Sequence, residues 1–280
     1  MENQLLFACR EGNIEAVQQL LTNNPNIKIN YREESIPKRT PFLIACENGF
    51  VDIVKLLLND ERIDVNQTDA YTPFWIACAS RQIEIVKLLL NDKRVNVNQA
   101  QIRDRRSPFF YICQSRDYEL MKLLLNSQRI DVNKSESQYG QTPFYRACAH
   151  GYTEVVKILL KDERVDLHKG DIYDRGPFFA SCQYGHIKIV EHILASGREI
   201  NLGAKNKSGK SAIDAVRRRQ KHKKGFYEPI QTYEKRKIDA GLIIELVESF
   251  QKDPNETRMK LRKRLELDGK LLFYFSFFNS

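Results

Sequence analysis

Six cysteines carry the most reactive side chains of this 280-residue chain: Cys9, Cys46, Cys78, Cys113, Cys148 and Cys182. They recur at intervals of 37, 32, 35, 35 and 34 residues. Thiols can pair, bind metal or attack as nucleophiles, and each use has its own spacing. No Cys-x-x-Cys pair is present, so zinc ligation is poorly supported. The five histidines, His150, His168, His186, His192 and His222, form no His-Glu-x-x-His segment. No Gly-x-Ser-x-Gly segment and no cysteine–histidine pairing stands out. Gly209-Lys210-Ser211 ends like a phosphate-binding loop, but that loop needs a glycine five places before its Gly-Lys, and Ala204 stands there. The register described next gives those residues another role, a turn and a helix cap. The chain reads as non-enzymatic, with no cofactor or metal.

A period in the range of roughly 20 to 50 residues signals stacked supersecondary units. In the middle repeats each cysteine closes the same phrase, as in Thr40-Pro41-Phe42-Leu43-Ile44-Ala45-Cys46 and Thr72-Pro73-Phe74-Trp75-Ile76-Ala77-Cys78. Proline suits the first helical turn, where its missing N–H costs nothing, and the preceding Thr or Ser is an N-cap. Gly49, Gly151 and Gly185 follow three residues after the cysteine, where a left-handed residue ends the helix. Arg81 and Arg116 replace that glycine in two adjacent units, so the turn there is either rebuilt or strained. Val51, Val54, Leu57 and Leu58 then mark one face of a second helix. A phrase ending in Asn (Asn66, Asn98, Asn133) leads back toward the next Thr-Pro as an extended finger. The unit is helix, turn, helix, finger.

The phrase resembles the ankyrin repeat, whose Thr-Pro-Leu-His-x-Ala recurs near every 33 residues. Here Phe replaces the Leu, and Leu43, Trp75, Phe110, Tyr145 and Phe179 occupy the family's His position. The resemblance covers about residues 1–250 and implies an all-α solenoid of helix-turn-helix units with hairpin fingers. Residues 1–39 read as an N-terminal capping repeat, 40–210 as repeats, 211–250 as a last repeat with a basic insertion, and 251–280 as a basic helix and aromatic tail. Equivalent cysteines on neighbouring helices would lie about 8–10 Å apart, too far for a disulfide. They read as small core residues, and six free thiols favour a reducing compartment. No signal peptide is visible and no apolar tract approaches the roughly 18 residues that span a bilayer. A cytoplasmic or nuclear protein is expected.

Charge is uneven. The net +9 of the chain resides in residues 201–280, with 19 Lys/Arg and 10 Asp/Glu. Arg217, Arg218, Arg219, Lys221, Lys223 and Lys224 form the densest tract. Three readings fit it: a solvated surface, an import signal or nucleic-acid contact, and an anionic-lipid contact. The second helix of the last unit is expected only from Leu242, after an insertion over 221–240. Asp253-Pro254 predicts a short basic helix over 255–267, with Leu261 and Leu265 covering the open end of the stack. The aromatic tail over 271–278 fits a cover, a docking peptide or an aggregation-prone segment.

The resemblance implies a protein-binding concave face built from fingers and first helices. Candidate contacts are Trp75, Phe110 and Tyr145 in one column, which packing between repeats would explain equally well. Tyr111 and Arg146 stand in the next column, whose chemistry varies more than a core requires. Arg103, Arg105 and Arg106 in a finger complete the set. Another protein is the expected partner, with nucleic acid or anionic lipid at the basic tract as the alternative.

Overall fold

Side-chain caps place the helices. Thr40, Thr72, Ser107 and Thr142 each accept a hydrogen bond from the amide three residues on, at 3.0–3.2 Å, with proline next in line. The resulting first helices are α3 (Pro41–Asn48), α5 (Pro73–Ala79), α7 (Pro108–Ser115) and α9 (Pro143–His150). Gly176 cannot cap α11 (Pro177–Tyr184) with a side chain. The computed structural model describes residues 1–34, 38–67, 70–223, 225 and 228–266. Every regular element among them is helical. Lys224 and the aromatic tail over 271–278 lie outside the described residues.

The chain divides into two units, Met1–Gln138 and Tyr139–Ser280. In the first, α1 (Glu2–Glu11), α3, α5 and α7 pack in succession as one layer. Behind them stand α2 (Ile14–Asn23), α4 (Val51–Leu58), α6 (Ile83–Asn91) and α8 (Tyr118–Leu125), each paired with its own first helix. In the second, α9, α11 and α13 (Ala212–Lys221) form one layer, and α10 (Thr153–Leu159), α12 (Ile187–Ala195) and α14 (Ile230–Lys252) form the other. No hairpin buries its apolar stripe alone, so each depends on its neighbour. Phe42, Phe74, Phe109 and Phe144, which replace the family leucine, are almost wholly buried.

All six cysteines are buried and unpaired. Burial pushes the Cys9 thiol up to about 12 and the other five higher still. The reactive thiolate is therefore scarce at neutral pH. Among the described residues, no cluster of His, Cys, Asp and Glu is arranged to hold a metal ion.

Polar side chains tie successive repeats together. The amide of Asn66 donates to the Arg94 carbonyl (2.8 Å) and accepts from the Asn96 amide (2.6 Å). Asn30 does the same for Arg62 and Asp64, and Asn98 for Arg129 and Asp131. The expected finger phrase is thus a turn that clamps the following repeat. Arginines reach the other way: Arg94 donates to the Leu58 carbonyl (2.7 Å), Arg129 to that of Leu90 (2.6 Å) and Arg198 to that of Val165 (2.6 Å). Asp92 and Asp162 hold Arg94 and Arg164 at 2.6 Å.

One open expectation is decided and another needs revision. The turns after α5 and α7 are not rebuilt: Arg81 (φ 56°) and Arg116 (φ 61°) remain left-handed. A strain on the order of 1 kcal/mol attaches to each, and at Arg81 an ion pair to the largely buried Asp117 (2.5 Å) opposes it. The last second helix, α14, begins at Ile230 rather than Leu242. Finally, α15 (Pro254–Arg264), capped by Asp253, packs on α12 and α14. Leu261 of α15 is buried, and Arg264 reaches the buried Glu191 of α12 at 2.7 Å.

Candidate functional site

Each repeat places three kinds of group on its first-helix side: a buried column, a half-exposed column and a finger. Trp75 is 6% exposed, Phe110 1% and Tyr145 1%. These rings are packing between repeats and offer a partner almost no surface. Trp75 is held between Tyr71, stacked at 4.6 Å, and Tyr111, tilted at 4.8 Å. Arg106 lies over Phe110 at 5.8 Å.

The next column is half-exposed. Tyr111 lines a cleft of about 520 Å³ together with Arg81, Arg116, Tyr118 and Glu119. Arg146 is steadied by Gln141, its Nη1 donating to Oε1 at 3.1 Å. Arg103 and Arg105 stand exposed on their finger, while Arg106 is half-buried. Arg105 is left-handed (φ 51°), like Gly140, Asp174 and Gly209 in the equivalent finger turns.

A polar hub in the second unit escaped the sequence reading. Tyr145 Oη donates to Asp171 Oδ2 at 3.0 Å, and Arg175 clamps the same carboxylate through Nε (2.8 Å) and Nη2 (2.5 Å). The amides of Tyr173 and Arg175 donate to its other oxygen. Burial pushes the Asp171 carboxyl up, but the Arg175 and amide hydrogen bonds outweigh it and hold it below the carboxylate range. Burial, then the Asp171 charge, raises the Tyr145 phenol. Gln101, Glu136 and Asp171, spaced by 35 residues, are buried polar groups of successive fingers, and Asn206 continues the spacing. That repeat of the cysteine period was the signal available.

Finger backbones are pinned by main-chain bonds: Ile102 N to Ala70 O (3.2 Å), Ile172 N to Tyr139 O (2.9 Å) and Lys207 N to Tyr173 O (3.0 Å). Their side chains Ile102, Tyr139, Ile172 and Tyr173 point to solvent, 41–58% exposed.

The basic tract divides. Arg217, Arg218, Lys221 and Lys223 are exposed. Arg219 lies against Gly185 and donates to the Gln183 carbonyl at 3.3 Å. The same register is filled by Gln82, donating to the Glu47 carbonyl (3.0 Å), and by His186 on the Ala149 carbonyl (3.0 Å). Arg219 is thus part of the packing between repeats, whereas its neighbours are surface.

The His186 register has a pH consequence. Burial lowers the pKa of His150, His186 and His192 below the ordinary imidazole value of about 6.5. The unfolded chain then binds more protons than the folded one as pH falls. Stability is complete above the unfolded value and declines as pH drops through the folded values. The urea midpoint of the full chain should fall between about pH 7 and pH 5, and less so for His186→Gln, since Gln82 shows that glutamine makes the same bond. A drop of the same size in the variant would contradict the role given to His186.

A family model for ankyrin repeats, three copies long, matches residues 5–101 and 109–206. That is well over half of the sequence, and the chain belongs to the ankyrin-repeat family. No curated protein matches it as a relative. Among solved structures it is similar to the ankyrin-repeat domain of Bcl-3, a member of the IkappaB protein family. The TM-score is 0.69 at 17% identity, over 76% of this chain and 92% of that one. The ankyrin-repeat domain of human ASB11 is also similar, with a TM-score of 0.57 at 23% identity, over 85% and 96%. At such identities the likeness is one of fold. Ankyrin repeats are generally protein–protein interaction modules. No helix among the described residues is long and apolar enough to cross a membrane.

Proposed function

We propose that this chain is a non-catalytic adaptor that binds a partner protein through its fingers and the exposed part of its first-helix layer. One observation carries the reading. Finger backbones are already fixed by hydrogen bonds, yet their tips present Ile102, Tyr139, Ile172 and Tyr173 to water. Folding does not need those apolar groups exposed, while a partner could bury them. Aromatic and arginine side chains dominate interface energetics; in the first unit Arg103 and Arg105 are exposed and Tyr111 half-exposed, and in the second Arg146 is half-exposed. A pinned backbone also limits the ordering cost of association. A cytoplasmic or nuclear setting suits six unpaired thiols.

Trp75, Phe110 and Tyr145 are buried and are poor probes of this reading. Ile102→Ser with Tyr111→Ala is the better test, as both side chains are partly exposed. Affinity capture from the native cell should lose its specific partner or bind it about tenfold more weakly, with helical content by circular dichroism unchanged. Undiminished capture would discredit this face.

A further inference from the structure

Positive charge in the second unit is gathered into a concavity. A cleft of about 1000 Å³ opens beside α11 and α13. Its walls include Arg175 and Lys210 from the residues just before those two helices, Arg218 and Lys221 from α13, and Arg236 from α14. The early start of α14 is what places Arg236 there. Asp214 is the carboxylate among the lining residues, and it is engaged: it accepts from the Ser211 hydroxyl (2.7 Å) and amide (2.9 Å) in a capping box. Asp171, Glu228 and Glu248 pair with Arg175, Arg236 and Arg217 respectively. After those pairings, Lys210, Arg218 and Lys221 have no carboxylate at ion-pair distance among the described residues.

We propose that this cleft binds an acidic peptide segment, rich in Glu and Asp, of the partner protein. The proposal rests on the adaptor reading above and names the chemistry of one part of the partner. Carboxylates on an extended chain can reach Lys210, Arg218 and Lys221 separately, and arginine–carboxylate hydrogen bonds are charge-assisted and directional. Asn206, half-exposed, and Ser208, exposed, line the same cleft. Those neutral groups suit the amides of a peptide main chain. Burial, and next the charge of Arg236, lower the Arg219 pKa, so an anion entering here relieves crowding of like charge.

Other anions fit less well. Binding of single-stranded nucleic acid relies on aromatic stacking platforms. Phe179, the aromatic residue lining this cleft, is buried, and nearby Tyr233 is covered by Arg236 and Lys237 at 5.3 and 5.2 Å. A bilayer needs cations on an outward face, and here Lys210, Arg218 and Lys221 line a concavity.

The test uses the full chain and a short fluorescein-labelled oligoglutamate peptide, read by anisotropy. Charge reversal at exposed positions, Arg218→Glu with Lys221→Glu, should weaken binding about tenfold or more, as loss and inversion of close charges does. The matched reversal Lys93→Glu with Lys122→Glu, in the first unit, should leave it unchanged. The proposal is overturned by no peptide binding, or by equal loss in both variants. It is also overturned if oligothymidylate or phosphatidylserine vesicles bind more tightly than the peptide with the same sensitivity to Arg218 and Lys221. Peptide failure beside partner capture that still depends on Ile102 and Tyr111 would sink the cleft alone and leave the adaptor reading standing.

Discussion

Phe74→Ala is expected to lower the unfolding free energy by about 3–5 kcal/mol, the range for removing a buried aromatic ring and leaving its cavity. Phe74 is fully buried in the first turn of α5. Its helix packs on both α3 and α7. In a repeat array a local loss also weakens the two interfaces that the damaged unit makes. Urea unfolding followed by circular dichroism should therefore show a lower midpoint, together with a broader transition. Phe7→Ala, at a position 61% exposed on α1, is the control and should change little. A loss below about 1 kcal/mol for Phe74→Ala would place the ring outside the core.

The second large effect is at Asp171. Its carboxylate satisfies Tyr145, Arg175 and two main-chain amides at once. Asp171→Ala leaves the buried Tyr145 hydroxyl and the Arg175 guanidinium without their acceptor. Removing one partner of a buried ion pair costs about 3–5 kcal/mol. Arg175 keeps some solvent access, which places the expected loss near the lower end, about 3 kcal/mol. Tyr145→Phe removes one donor and should cost about 1 kcal/mol. A double-mutant cycle reads the coupling, and strict additivity of the two losses would contradict the hub.

Much of this fold is written locally. Thr40, Thr72, Ser107 and Thr142 each precede Pro-Phe, and the cap, the helix start and the buried ring follow from those three residues. The N-terminal half of α14 was hidden for a physical reason. Residues 230–239 are exposed or half-exposed throughout, so they carry no apolar stripe. Their helix is held by tethers such as Arg236 to Glu228 (3.1 Å) and to the His222 carbonyl (3.2 Å). Leu261 announced a buried side of α15, and the packing of that helix on α12 and α14 comes from the fold.

The candidate site was legible as a face and less so as residues. Aromatic rings at one phase serve packing between repeats and docking equally well, and Trp75, Phe110 and Tyr145 went to packing. Tyr145 and Asp171 are 26 residues apart, and their bond exists only once the repeat has folded. The exposed tips Ile102 and Ile172 look like ordinary core residues in the sequence. Only the main-chain bonds of their fingers show that these side chains are left over for something else.

Hydrogen exchange of the full chain, alone and with its captured partner, tests the central claim most directly. The account predicts slower exchange in the fingers near Ile102 and Tyr173 and around Tyr111, with the second helices α4, α6 and α12 unchanged. Protection confined to those second helices, with the fingers exchanging as freely as before, would contradict it.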